Sequence, residues 1–444
     1  MKFLKPLLFS PNPMSDFKHL RQNFPIFEHR PELVYLDSAA TALKPAAVID
    51  AERNYLEKYS SNVGRGLYPL AEETTAMFED ARHTIARFIG ASPEEIIFTS
   101  GTTGAINTAA RLIEPSVAAG ASIVTTTLEH HSNFLPWSEL AKRTSAAFRI
   151  APASPPASPN RDGSLGGPIT PAGSIDAEAL LSLIDETTAI VAFSLVSNVT
   201  GAITPAAELI KRIKEKQPRA IVIVDAAQAI GHLPIDTASL GADFLAFSGH
   251  KVFAPSGIGI LYGKQSLLET LRPTDFGGGM VLDAAADTPE YKETPSRFEA
   301  GTPNIGGTIA LGTAIRFIET IGVEAIRLHE KTLTAYAVEK LKSAFGSDIA
   351  IIGPADPEKR GGLVAFTLDG VHPHDIAHLL GERNICIRAG EHCAAPLHRS
   401  LGLAATARIS FSVYNSEEDI DKLINALKDI HTLISRSLCR STKT

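Results

Sequence analysis

The sequence predicts an α/β fold: a mostly parallel sheet covered by helices, followed by a smaller α+β C-terminal domain. Three observations carry that reading. Short apolar runs rich in β-branched residues recur through the first part of the chain, stretches with helical spacing alternate with them, and 444 residues are too many for one simple core.

Taken in order, the elements begin with Met1 to Ser10 (MKFLKPLLFS), which is mildly basic and apolar. Its apolar part is very short for a signal peptide and breaks at Pro6. No small-residue cleavage site follows before Asp16-Phe17-Lys18, so export is not expected, and Met14 offers an alternative start. Thr74 to Ile89 reads as a helix, and Ile96-Ile97-Phe98-Thr99 as the first strand of the body. Ser122 to Thr126, Ala189 to Val196, Ile221 to Val224 and Phe244 to Phe247 read as further strands, with Pro205 to Glu215 a helix between them. In such sheets ligands lie beyond the carboxyl ends of the strands, so the residues just after each run matter most.

Ala151 to Ser174, rich in Pro, Ser and Gly, reads as a surface loop. One long helical pattern from Gly306 to about Phe345 is expected to carry the chain into a compact lobe. Strands there lie near Gly362 to Leu368 and Ala407 to Val413, and the polar end after Ser435 is expected to fray. The expected division is a large domain over 28–317 and a small one combining 1–27 with 318–444.

Composition narrows the class. A net charge of −7 and no long basic block argue against nucleic acid as a partner. No segment has the roughly 20 unbroken apolar residues of a membrane span. Three cysteines, Cys386, Cys393 and Cys439, cannot all pair, so a reducing, cytoplasmic setting fits better than a disulfide framework.

The chemistry gathers at strand ends. Ile221 to Val224 delivers Asp225, with Gln228 just beyond; alone, that carboxylate could equally cap the next helix. Phe244 to Phe247 delivers Ser248-Gly249-His250-Lys251, followed by Gly257-Ile258-Gly259. A Lys at that position is poorly explained as a solvated charge. A desolvated Lys attacks aldehydes, and an Asp against a pyridine nitrogen keeps it protonated so that the ring can act as an electron sink. The pair asks for pyridoxal 5'-phosphate held on Lys251 as a Schiff base. Thr99-Ser100-Gly101-Thr102-Thr103-Gly104 follows a strand and opens a helix, a good phosphate cradle that Ser248 and His250 could complete. Glu129-His130-His131 follows another strand, where a His could stack on the ring. A zinc site built from His130, His131, His392 and Cys393 lacks the usual ligand spacing, and no metal is expected.

These stretches closely resemble the class V aminotransferase superfamily (PLP-dependent transferases of fold type I), and within it the SufS-type, group II cysteine desulfurases. The resemblance rests on Tyr35-Leu36-Asp37-Ser38-Ala39-Ala40, Gly101-Thr102-Thr103, Glu129-His130-His131, Val196-Ser197-Asn198-Val199, Val224-Asp225-Ala226-Ala227-Gln228 and Ser248-Gly249-His250-Lys251. It continues through Arg297-Phe298-Glu299-Ala300-Gly301-Thr302-Pro303-Asn304, Arg388-Ala389-Gly390-Glu391-His392-Cys393 and Arg408. It implies that Lys251 carries the cofactor, Asp225 pairs with its ring nitrogen, His130 stacks on the ring and Gln228 meets its phenolic oxygen. Thr102, Thr103, Ser248 and His250 would hold the phosphate, and Thr302 would reach the phosphate of a neighbouring subunit, making a homodimer. Asn198 and Arg408 would hold the substrate carboxylate.

Cys393 is the residue that selects the reaction. In the resembled family the Cys of this loop takes sulfur from L-cysteine as a persulfide and leaves alanine, feeding a sulfur-acceptor protein for iron–sulfur cluster assembly. The Gly- and Pro-bounded loop around Cys393 fits an accessible thiol, with His392 and Arg388 close in sequence; Cys386, in an alternating apolar run, fits a core thiol. Two departures stand out. Gly64 and Tyr68 occupy positions where the family carries His, although Arg65 is retained to face the substrate or the partner's site. Glu391 stands where another His is common. The rival reading is a selenocysteine lyase acting on L-selenocysteine, or another class V aminotransferase or epimerase-like enzyme, that does without the Cys393 persulfide. A silent sulfur-carrier scaffold is disfavoured by the intact Lys251, Asp225 and Arg408.

Overall fold

The computed structural model describes residues 13–154, 173–284 and 288–441. The leader Met1 to Ser10 and most of the Ala151 to Ser174 loop lie outside them. The base of that loop is closed by Ser154 N donating to Ser174 O at 2.9 Å and Gly173 N donating to Ser154 O at 2.9 Å.

After a short first strand, β1 (Val34–Tyr35), the body is one seven-stranded sheet. Its strands are β2 (Ile96–Thr99), β3 (Ser122–Thr126), β4 (Ala147–Ala151), β5 (Thr188–Ser194), β6 (Ile221–Asp225), β7 (Phe244–Ser248) and β8 (Gly259–Gly263), in the order β2-β8-β7-β6-β5-β3-β4. All pairs from β7 to β4 are parallel, while β8 runs against both its neighbours. The short link from Ser248 to Gly259 carries no crossover helix, so β8 must return antiparallel.

Strand alternation explains the burial. Val222 and Val224 of β6 join Val191 and Phe193 of β5 and Phe247 of β7 in the core on one face. Ile223, Ile190, Ala192, Phe244 and Ala246 face the other. Both faces are covered. The helix Thr102–Ile113 packs Ala105, Ile106 and Ala109 with Trp137 on one side, and Ala206–Lys216 presents Leu209, Ile210 and Ile213 to the other. Each such aliphatic side chain contributes roughly 1.5–3 kcal/mol by burial. Phe193→Ala, at a fully buried position, would cost about 3–5 kcal/mol.

A hairpin of β9 (Val281–Asp283) and β10 (Glu290–Tyr291) projects after the sheet. The single helix expected from Gly306 to Phe345 is two, Ile305–Ile321 and Val323–Phe345. Gly322, at φ +89°, breaks the path in a conformation that L side chains avoid. The helix expected from Thr74 begins earlier, at Pro69, where proline's fixed φ suits a first turn.

The second lobe holds β11 (Ile349–Ile352), β12 (Leu363–Leu368), β13 (Ile385–Cys386), β14 (Arg388–Gly390) and β15 (Thr406–Ser410). β11, β12, β15 and β14 form an antiparallel sheet in that order, and β13 pairs in parallel with β1. The terminal helix Glu417–Ser441 buries Ile420, Leu423, Ile424, Leu427 and Ile430, and runs through the end expected to fray. The N-terminal aromatics join the core of the large sheet: Phe24 lies against Phe253, Phe317 and Tyr414, and Phe17 stacks on His329 at 4.0 Å.

Candidate active site

Parallel pairing of β6 with β7 sets Asp225 beside Ala246, so Asp225 and the Gly249–Lys251 turn emerge at the same sheet edge. They line a cavity of about 230 Å³ with Thr102, Thr103, His130 and Arg408. Asp225 is buried, and among the described residues the only hydrogen bond to its carboxylate comes from Ala227 N, at 2.8 Å. Burial pushes its carboxyl up from the usual range, and the Lys251 charge partly opposes this. Lys251 makes no hydrogen bond or ion pair among the described residues. Desolvation brings its amine down to about 8, against the pull of Asp225. A desolvated amine facing an unpaired buried carboxylate fits an aldehyde on a protonated pyridine ring.

The phosphate cradle is built by close backbone approach. Gly101, at φ +142°, precedes the helix Thr102–Ile113, and a Cβ on Gly259 would collide with the Gly101 backbone. Thr102 N donates to Ser248 Oγ at 2.7 Å, the Thr102 and Ser248 hydroxyls pair at 2.7 Å, and Thr103 Oγ1 pairs with Ser132 Oγ at 2.7 Å. Hydroxyls around a helix N-terminus suit an anion. His250 lines the same cavity, and burial beside Lys251 lowers its imidazole to about 4, so it is neutral.

His130 accepts from Ser132 N at 3.1 Å, and burial followed by the Lys251 charge lowers its imidazole to about 4. A neutral ring at this wall is suited to stacking. Glu129 lies behind it, a residue to which the sequence pattern assigns no role. Fully buried, it accepts from Thr126 Oγ1 (2.7 Å), Ser194 Oγ (2.5 Å) and Asn133 Nδ2 (2.6 Å), tying the ends of β3 and β5 to the His130 turn. Desolvation raises its carboxyl to about 7 against those three donors. Gln228 lines the cavity and donates to Ala39 O at 2.8 Å.

At the other end, Arg408 Nη1 donates to Asn198 O at 2.7 Å and Nη2 reaches Asp37 Oδ1 at 3.2 Å. Arg408 Nε is buried with no partner among the described residues. Arg388 stands opposite Arg408 in the β14–β15 register, and its Nε lies 3.4 Å from Asp37 Oδ2. Asp37, part of a sequence motif but with no role expected of it, therefore separates two like charges. The Asn198 amide donates to His392 O at 2.7 Å rather than standing free.

Cys393 is exposed and lines the mouth of the same cavity. His392 and Cys393 have φ of +51° and +57°, and Ala394 N donates to Glu391 O at 2.9 Å. This left-handed two-residue turn, normally built from Asn and Gly, costs roughly 1–2 kcal/mol for each side-chain-bearing residue. No sequence signal announced it. The suggested help from His392 takes a different form: its ring is buried, Nε2 meets Thr406 Oγ1 at 3.0 Å, and burial near Arg408 keeps it uncharged. Cys386 is half-buried between β1 and the core, with its thiol raised by desolvation; the side chain of Cys439 lies outside the described residues.

Two expected site residues are not brought to the chain's own cavity. Arg65 and Thr302 are exposed and line a separate cavity of about 320 Å³ with Gly64, Gly278 and Gly279. Arg65 Nη2 there approaches Val281 O at 3.4 Å.

This sheet, with a lysine and an aspartate at adjacent strand ends and a second lobe closing the cavity, defines an aminotransferase-like enzyme, and the chain belongs to the class V aminotransferase family, whose model matches residues 34–423. Among its relatives, a probable cysteine desulfurase from Halalkalibacterium halodurans is 45% identical over 416 residues, covering 92% of this chain and 96% of that protein. Another, from Mycobacterium leprae, is 41% identical over 419 residues, covering 92% and 95%. A solved cysteine desulfurase from Thermococcus onnurineus superposes with a TM-score of 0.86 at 36% identity over 96% of this chain and 99% of its own. One from Escherichia coli gives 0.82 at 35% identity over 96% and 100%.

Proposed function

We infer that this chain is a pyridoxal-phosphate-dependent cysteine desulfurase that converts L-cysteine to L-alanine and takes the sulfur as a persulfide on Cys393. The observation that carries the reading is one cavity lined by Lys251, Asp225, Arg408 and the exposed Cys393.

Pyridoxal phosphate, when bound, supplies an electron sink that makes the amino acid's α-carbon acidic and loosens bonds at its β-carbon. The chain's own residues do the rest. Thr102, Thr103, Ser248 and His250 would hold the phosphate, Asp225 would face the ring nitrogen, His130 would cover a ring face and Gln228 would meet the phenolic oxygen. Arg408, which lines the cavity, would take the substrate carboxylate through its guanidinium, with Asn198 supporting that end and Arg388 adding positive charge. Lys251, whose desolvated amine lies in the cavity, would hold the cofactor and move the α-proton. The Cys393 thiolate then attacks the substrate sulfur. The S–S bond forms as the Cβ–S bond breaks, the electron pair stays on the carbon frame, and protonation there gives alanine.

The same reading makes the enzyme a cytoplasmic homodimer, in which Thr302 and Arg65 serve the partner's site, and the source of sulfur for an acceptor protein in iron–sulfur cluster assembly. It keeps 28–317 as the cofactor domain, with 1–27 and 318–444 as the small one. The test is alanine and sulfide formation from L-cysteine, with and without reductant, in wild type and Cys393→Ala. Loss of cysteine turnover with L-selenocysteine turnover retained is expected, because selenide leaves without a nucleophilic thiol. Undiminished sulfur release from Cys393→Ala removes the persulfide from the mechanism and favours a selenocysteine lyase-like enzyme.

A further inference from the structure

The His392–Cys393 turn holds two side-chain-bearing residues in the left-handed region, so something outside it must prevent relaxation. Three hydrogen bonds cross from the large sheet to do this. His131 N donates to Cys393 O at 2.7 Å, Ala395 N donates to His131 Nε2 at 3.2 Å, and Asn198 Nδ2 donates to His392 O at 2.7 Å. Two of the three involve His131, one through its backbone and one through its ring. That ring does not line the cavity; it lies beyond His130, whose ring centroid is 6.3 Å away. It therefore reaches the reacting atoms only through the loop. To accept from Ala395, Nε2 must carry a lone pair, so the ring proton sits on Nδ1.

We propose that His131 is a positioning residue that clamps the chain immediately C-terminal to Cys393, at its carbonyl and at the Ala395 amide, and keeps the thiol aimed into the cavity. Its backbone fixes the Cys393 carbonyl and its imidazole fixes the amide two residues on. Relaxation of either left-handed residue would swing the sulfur away from the substrate. The same segment carries His130, so the wall of the ring site and the thiol loop are held at a common distance. The inference rests on Cys393 being the sulfur acceptor.

The test compares wild-type, His131→Ala and His131→Gln holoenzymes turning over L-cysteine with a reductant. In His131→Ala, visible cofactor absorbance and its response to L-cysteine should be those of wild type. Alanine release should fall about 100-fold, the loss expected for a misplacement of about 1 Å. His131→Gln keeps an acceptor at the end of its side chain and should restore most of the rate. A wild-type rate in His131→Ala, equal losses in both variants, or loss of cofactor absorbance in either overturns the assignment. If Cys393→Ala is inactive while His131→Ala is unimpaired, the clamp alone fails. If Cys393→Ala still turns over L-cysteine, the reading of Cys393 fails with it.

Discussion

Arg408→Lys keeps a positive charge in the carboxylate end of the cavity but changes how many directions it can point. The guanidinium has five N–H donors in a fixed fork. Its Nη1 is committed to Asn198 O and its Nη2 to Asp37, while the second hydrogen on each Nη stays free for a two-pronged bond to a carboxylate. A lysine ammonium has three donors on one atom. Satisfying Asn198 and Asp37 leaves it one for the substrate, so one charge-assisted bond is lost, worth about 1.5–3 kcal/mol. At 1.4 kcal/mol per tenfold, KM for L-cysteine should rise about 10- to 150-fold. The assay is initial-rate alanine formation over a range of L-cysteine at matched cofactor content, with a parallel titration of the cofactor absorbance. A KM shift below about threefold, under 1 kcal/mol, would refute the assignment of the carboxylate to Arg408.

Asp37→Asn removes the carboxylate between Arg388 and the 3% exposed Arg408 side chain, and should lower unfolding free energy by about 3 kcal/mol in urea; a loss under about 1 kcal/mol would rule out an ion-pair role. Lys251 is a base whose folded pKa lies below its ordinary 10.5, so its reactive neutral form fills in as pH rises through about 8. Covalent reattachment of pyridoxal phosphate to the apoprotein should therefore level off above about 8, and a rate still climbing near pH 10 would contradict this; removing Asp225, which favours the charged amine, should move the midpoint down. Gly259→Ala places a Cβ against the Gly101 backbone and should cut cofactor affinity, read by equilibrium dialysis, whereas Gly381→Ala, with open space around it, should not. Arg82→Leu leaves Glu299, whose side chain is 13% exposed, without its two-pronged partner and should cost about 3 kcal/mol, more than the Arg82→Leu/Glu299→Leu pair does; equal losses would place the cost in packing.

Much of the site was legible because its parts are local. Asp225, Lys251 and the Gly101–Thr103 turn each come directly after a short apolar strand, and a parallel sheet gathers the residues beyond its strands at one edge. Helix boundaries were less legible, since the apolar pattern continues through Gly322 and only its positive φ divides the segment. Glu129 was not legible as a site residue because a single Glu beside two histidines carries no sign of the three donors that meet it from separate elements.

The sequence by itself determined the family of chemistry: a lysine and an aspartate at neighbouring strand ends, a hydroxyl-rich turn before a helix, and a cysteine in a Gly- and Pro-bounded loop. Only the tertiary structure decided that Asp37 stands between Arg388 and Arg408, because that depends on β14–β15 register and on β1 reaching the second lobe. It also decided that His392 and Cys393 are left-handed. Local propensity opposes that conformation, and it persists because hydrogen bonds with His131 and Asn198, which follow strands of the other sheet, hold the turn against its own preference.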